Sequence, residues 1–135
     1  MTAAVGLVQM DRLPSIIENR LKIGGWYEGL LSDLDGIDPP ASPAYARANN
    51  QSYVTRLANP ARRNEVMQAL KDGGIPTRPG ITCIHREPPY ADAWREGSLP
   101  KTEQARADRI ILPLHPRMTE AEVKTVCKAL ARALV

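Results

Sequence analysis

The first stretch of the chain constrains its fold more than any later one. Ala3 to Met10 reads Ala-Ala-Val-Gly-Leu-Val-Gln-Met, and Gln9 is its only polar side chain. The stretch is helix-permissive, and a helix that is apolar all round is stable only when buried. Chain ends are ordinarily frayed and wet, so this segment predicts a covering surface that lies upstream. A second helix is expected from Pro14, a residue suited to a first helical turn. Ile16, Ile23, Tyr27, Leu30 and Leu34 recur at helical gaps and share one face. Leu13, Ile17 and Leu21 widen it. Gly24 and Gly25 together cost about 1–2 kcal/mol of helix propensity. They either admit close packing of another element or mark a kink.

The rest of the chain changes period several times. Residues 35–50 hold three prolines and Gly36 and read as a loop. Ser52 to Ala58 alternates Tyr53, Thr55 and Leu57 against Ser52, Val54 and Arg56, the pattern of a half-buried strand. Asn59-Pro60 reads as an N-cap and first helical residue. Val66, Met67 and Leu70 give the helix that follows its buried face, and Gly73 stops it. Ile75 to Arg78 is a short extended piece, and a long irregular stretch runs from Pro79 to Pro100. Lys101 to Ala107 predicts a short helix and Arg109 to Leu114 a buried strand. Thr119 and Glu122 form a capping box ahead of a last helix faced by Val123, Val126, Cys127, Leu130 and Leu134. The expected fold is α+β: a small, three-stranded, mainly antiparallel sheet with helices on one face, plus a long N-terminal helical segment. At 135 residues the chain is one domain, with residues 1–34 a helical connector and 50–135 the α+β lobe.

Charge and cysteine usage exclude several classes. The net charge is +3, but Arg12, Arg20, Arg47, Arg56, Arg78 and Arg109 are scattered. No basic run with interleaved aromatics marks a nucleic-acid groove. Two cysteines are too few for a disulfide scaffold and fit a reducing compartment. No apolar run approaches the ~20 residues of a membrane span. A cytoplasmic protein that binds neither nucleic acid nor membrane is expected. Cys83-x-His85, with His115 remote, lacks the second ligand pair of a zinc site, so no metal is expected. Ser52 and Ser98 lie in no Gly-x-Ser-x-Gly turn, and Glu87 and Glu103 have no support as an acid–base pair. Cys127 reads as core.

Five motifs in order resemble one family. Ala3 to Leu13 with Asn19-Arg20 and Tyr27, then Asn50-Gln51-Ser52-Tyr53-Val54, open the series. Gly74 to Ile81 with His85-Arg86-Glu87-Pro88-Pro89-Tyr90 continues it. Leu99-Pro100-Lys101-Thr102-Glu103 and Ile111 to Thr119 close it. Together they resemble the C-terminal lobe of the DegT/DnrJ/StrS sugar-nucleotide aminotransferases, and so the small domain of a fold-type-I aminotransferase.

The resemblance implies that pyridoxal phosphate serves the complete enzyme, that its substrate is a nucleotide-linked keto sugar, and that the cofactor domain lies upstream. The five lysines, Lys22, Lys71, Lys101, Lys124 and Lys128, lie on or at the ends of helices. None follows a buried strand into a pocket, as a Schiff-base lysine needs. No catalytic or cofactor-binding residue is therefore expected on this chain, and the lobe is expected to be inactive alone. Its partner is the cofactor domain, or a second copy met through the N-terminal helix. In the alternative reading it is a non-catalytic binding or oligomerisation module derived from that lobe. Substrate contact is expected from His85, Arg86, Arg78 and Tyr90, because the resemblance places their loop at the active-site mouth and arginine forks suit a diphosphate.

Overall fold

The computed structural model describes residues 2–90, 92, 95 and 97–135. Helix α1 spans Thr2–Leu31, and α2 (Arg63–Asp72), α3 (Pro100–Asp108) and α4 (Glu120–Leu134) follow. The strands are β1 (Ile37–Asp38), β2 (Tyr53–Leu57), β3 (Arg78–Pro79) and β4 (Arg109–Leu112). They form one sheet in the order β1-β2-β4-β3, with every pair antiparallel.

Period-2 alternation decides which face of the sheet is covered. Tyr53, Thr55 and Leu57 on β2 are buried, as are Ile110 and Leu112 on β4. They meet Ile23, Tyr27 and Leu31 of α1, Val66 and Leu70 of α2, and Val123, Val126, Cys127 and Leu130 of α4 in a single core. Arg56, Arg109 and Arg78 are exposed on the opposite face. The α+β class and the helix-covered sheet face agree with the sequence.

Three expectations need correction. The two N-terminal helices are one continuous helix of 30 residues with Pro14 inside it. Pro14 removes one backbone donor, but the flanking residues are exposed, where the freed carbonyl is open to water. The sheet has four strands, because β1 lies inside the expected loop. A two-residue strand shows no alternation; Ile37 is buried and Asp38 pairs with Arg56 at 2.5 Å across the register. The piece expected over Ile75–Arg78 pairs only from Arg78. Ile75 instead donates to Leu70 O at 2.8 Å, in a helix stop made by Gly74 at φ +76.

The other local signals hold. Asn59 Oδ1 accepts from Ala61 N–H, and the Thr119–Glu122 capping box is formed in both directions. The Gly-Gly pair lies inside the continuous helix. Gly24 lets Asn50 lie against α1, where a Cβ would collide with Asn50 Nδ2, whereas Gly25 faces open space. Arg20 completes this clasp by donating to Asn50 O at 3.1 Å and Gln51 O at 2.8 Å. Tyr27 stacks on Tyr53 with centroids 4.8 Å apart and donates to Pro113 O at 2.7 Å. Burial pushes both phenols well above their ordinary range and Cys127 up to about 11. No helix among the described residues is long and apolar enough to cross a membrane.

Candidate functional site

The segment between β3 and α3 is shaped by two 3-10 turns, Ile84–Arg86 and Pro88–Tyr90. The first turn sends alternate side chains to opposite sides. His85 is only 6% exposed, whereas Ile84 and Arg86 face outward. His85 Nε2 lies 3.0 Å from Glu103 Oε1. Against a carboxylate that nitrogen is the donor.

Glu103 stands in the first turn of α3, where a carboxylate is favoured by the helix dipole. Its two oxygens also accept the Gly97 N–H, at 2.9 and 3.1 Å. The His85 hydrogen bond, with help from the Gly97 and Leu99 amides and against the effect of desolvation, holds the Glu103 carboxyl below its ordinary range. Cys83 Sγ adds a long contact to Thr102 O at 3.6 Å. One helix turn thus clasps both arms of the loop. Sequence reasoning set Glu103 aside, and its separation of 18 residues from His85 left no local pattern to read. Cys83 and His85 are both buried, but they turn to different acceptors.

His85 and Tyr90 share a cavity of about 380 Å³ with Thr82, Ile84, Leu99 and Thr102. Arg78 lines a neighbouring cavity of about 550 Å³ with Glu87 and Arg106, and Thr82 borders both. Arg86 is exposed on the turn between them in sequence. The structure therefore groups two of the four candidates, sets Arg78 next door, and adds Arg106, which the sequence did not single out.

All five lysines are exposed. Lys22 lies 5.3 Å from the centre of the Trp26 ring, and Lys124 pairs with Glu120 at 2.6 Å. Lys71 borders an open hollow whose other lining residues are Asn64, Met67, Gln68, Pro76 and Thr77. That lining offers no carboxylate for a pyridine nitrogen. These side chains do not fit a buried Schiff-base site.

Comparison with known proteins gives the setting. The sequence profile of the DegT/DnrJ/EryC1/StrS aminotransferase family matches residues 1–131. The chain is 38% identical to the dTDP-4-dehydro-2,3,6-trideoxy-D-glucose 4-aminotransferase of Saccharopolyspora spinosa, over 99% of this chain and 34% of that enzyme. Among solved structures, the aminotransferase TlmJ of Streptoalloteichus hindustanus superposes with a TM-score of 0.88 at 31% identity, covering 98% of this chain and 35% of TlmJ. DesV of S. venezuelae, solved with a ketimine intermediate, gives a TM-score of 0.88 at 26% identity over 98% of this chain and 35% of DesV. The chain spans about a third of the length of these relatives.

Proposed function

Because this chain belongs to the DegT/DnrJ/EryC1/StrS aminotransferase family, whose members use pyridoxal phosphate, we propose that it acts as the C-terminal lobe of an aminotransferase for nucleotide-linked keto sugars. The observation that carries the reading is coverage: near-complete alignment of this chain onto only about a third of a sugar-nucleotide aminotransferase. In this reading residues 1–34 form the connector and residues 50–135 the lobe that closes over the cofactor domain. The exposed lysines leave the Schiff base to that other domain. This chain's own contribution is binding and shaping. Tyr90 and the Nδ1 side of His85 face the substrate, Arg78 and Arg86 offer guanidinium forks to its phosphates, and the Glu103 clasp fixes the loop that presents His85, Arg86 and Tyr90. The partner in this reading is the cofactor domain, and the substrate a nucleotide sugar.

A chimera tests it. This chain replaces the matching third of the Saccharopolyspora enzyme, and amino transfer from glutamate to the keto sugar is assayed. The expected result is activity accompanied by the internal-aldimine absorbance band. A chimera that shows the band but transfers no amine contradicts the reading.

One observation favours a second reading, a non-catalytic association module. Val5, Leu7, Val8, Met10 and Leu13 leave apolar side chains uncovered all round the first half of α1, and exposed apolar surface invites association. Sedimentation of the chain alone decides: a concentration-dependent dimer supports the module, and a clean monomer at high concentration contradicts it.

A further inference from the structure

We propose that the cavity beside the β3–β4 edge is an anion site for the phosphoryl oxygens of a nucleotide diphosphate, with Arg78 and Arg106 as its donors. The proposal rests on the lobe reading and sharpens it by assigning the diphosphate to one cavity and adding a residue that the motifs did not reveal. The cavity measures about 550 Å³, and its lining includes Arg78, Gly80, Thr82, Glu87, Arg106 and Ile111.

Topology brings the two guanidiniums together. Arg78 stands directly opposite Ile111 in the β3–β4 register, so both lie on the sheet face opposite the buried core residues Ile110 and Leu112. Arg106 comes from the last turn of α3, and its backbone is held by a hydrogen bond from Arg63 Nη1 to its carbonyl. Gly80 closes the β3 end of the cavity. Its N–H bonds Arg109 O at 2.9 Å, and any Cβ there would strike Arg109. Only glycine lets the strand end lie this close and keep the floor open.

The donors are largely unspent. Arg78 is exposed and has no hydrogen-bonding or ionic partner among the described residues. The contact of Arg106 with Glu87 is 3.9 Å, too long for a hydrogen bond. Arg56 and Arg109, on the same sheet face, differ in having nearer carboxylates: Arg56 is bonded to Asp38 at 2.5 Å, and Arg109 lies 3.6 Å from Asp108. The cavity thus carries two guanidiniums against one carboxylate. Each guanidinium is a planar fork of five N–H groups, matched to two oxygens of one phosphoryl group. The Thr82 hydroxyl supplies a neutral donor. Glu87 opposes an anion, which gives the proposal a signed consequence: its neutralisation should strengthen binding.

The test is a calorimetric titration of the 135-residue chain with inorganic pyrophosphate. Arg78→Gln and Arg106→Gln should each weaken binding by about tenfold, the worth of a charged hydrogen bond. Glu87→Gln should tighten it about threefold. Lys128→Gln, which removes one positive charge from the exposed side of α4, should leave it unchanged. Arg78 is exposed and Arg106 half-exposed, so matched thermal unfolding midpoints verify that the fold survives each change. No pyrophosphate binding by the parent chain overturns the proposal. So does an equal loss from Lys128→Gln, which marks diffuse charge, or glutamate binding as tightly as pyrophosphate, which marks a carboxylate site. Pyrophosphate binding that persists while the chimera shows the absorbance band but transfers no amine supports the cavity and sinks the lobe reading. An active chimera whose KM for the nucleotide sugar is unmoved by Arg106→Gln sinks the cavity alone.

Discussion

The two halves of α1 carry similar side chains and meet opposite fates. In the second half Tyr27 and Leu31 are fully buried among β2, β4 and α4. In the first half Val5, Leu7, Val8 and Met10 are each more than half exposed. Helix propensity does not separate them, since one helix runs through both. What differs is whether the chain itself supplies a covering surface. Apolar composition declares a need for burial but does not name the partner. Burying a side chain of this size is worth about 1.5–3 kcal/mol, so the first half gains from any surface that covers it. The length of the chain relative to its family gives the proposed cover, the remaining two-thirds of an aminotransferase.

Truncation of one residue in each half should give the largest contrast. Tyr27→Ala should cost about 3–5 kcal/mol through the lost ring and the lost bond to Pro113 O. Leu7→Ala should change stability by less than about 0.5 kcal/mol. Urea unfolding of both variants checks the contrast; equal costs would mean that the first half is already covered in solution.

A second effect comes from alkali, which acts on the buried half alone. Cys127 has its thiol raised to about 11 from an unfolded value of ~8.5. A raised pKa stabilises fully below the unfolded value, and the contribution is lost as pH rises through the folded one. Stability should therefore fall by roughly 3 kcal/mol from this group between about pH 8.5 and 11, with Tyr27 and Tyr53 adding to the loss at higher pH. Thermal unfolding midpoints across that range measure it.

Smaller still is the split between adjacent glycines. Gly25→Ala should stabilise by about 0.5–1 kcal/mol, since it gains helix propensity in open space. Gly24→Ala should gain nothing, because its new methyl displaces Asn50 from the clasp with Arg20. Matching gains at both sites would show that the clasp contributes nothing.

Among the described residues 81–99, Cys83 is the buried hydrophobic and none belongs to the core; the Glu103 clasp holds the segment instead. The Glu103 carboxyl is held below its ordinary value. A lowered pKa gives stability that is complete above the unfolded value of ~4.3 and is lost as pH falls through the folded one. The Gly97 amide should lose protection, measured against its intrinsic exchange rate at each pH, over that acid range, as amide NMR can record. An unchanged protection factor would show that Glu103 does not hold the loop.

What the sequence made legible follows the reach of each signal. Alternation in Tyr53 to Leu57, the capping box at Thr119 and the stop after α2 are local, and all three are present in the structure. β1 was illegible because two residues carry no period. Pro14 misled because its favoured place, a first turn, is a statistical preference that an exposed, hydrated helix can override. Family motifs located the loop of His85, Arg86 and Tyr90, but not how it is held. Glu103 with His85, and Arg106 with Arg78, are joined through the tertiary fold, where no spacing rule reaches. Asn50 and Arg20 sat inside recognised motifs, yet their mutual clasp needed coordinates to appear.

This chain has the fold of an aminotransferase lobe, and we propose that none of its five exposed lysines holds the cofactor. Equimolar pyridoxal phosphate, borohydride reduction and peptide mass mapping are the test. Only traces of adduct, spread over the five lysines, are expected. Stoichiometric labelling of a single lysine would contradict it.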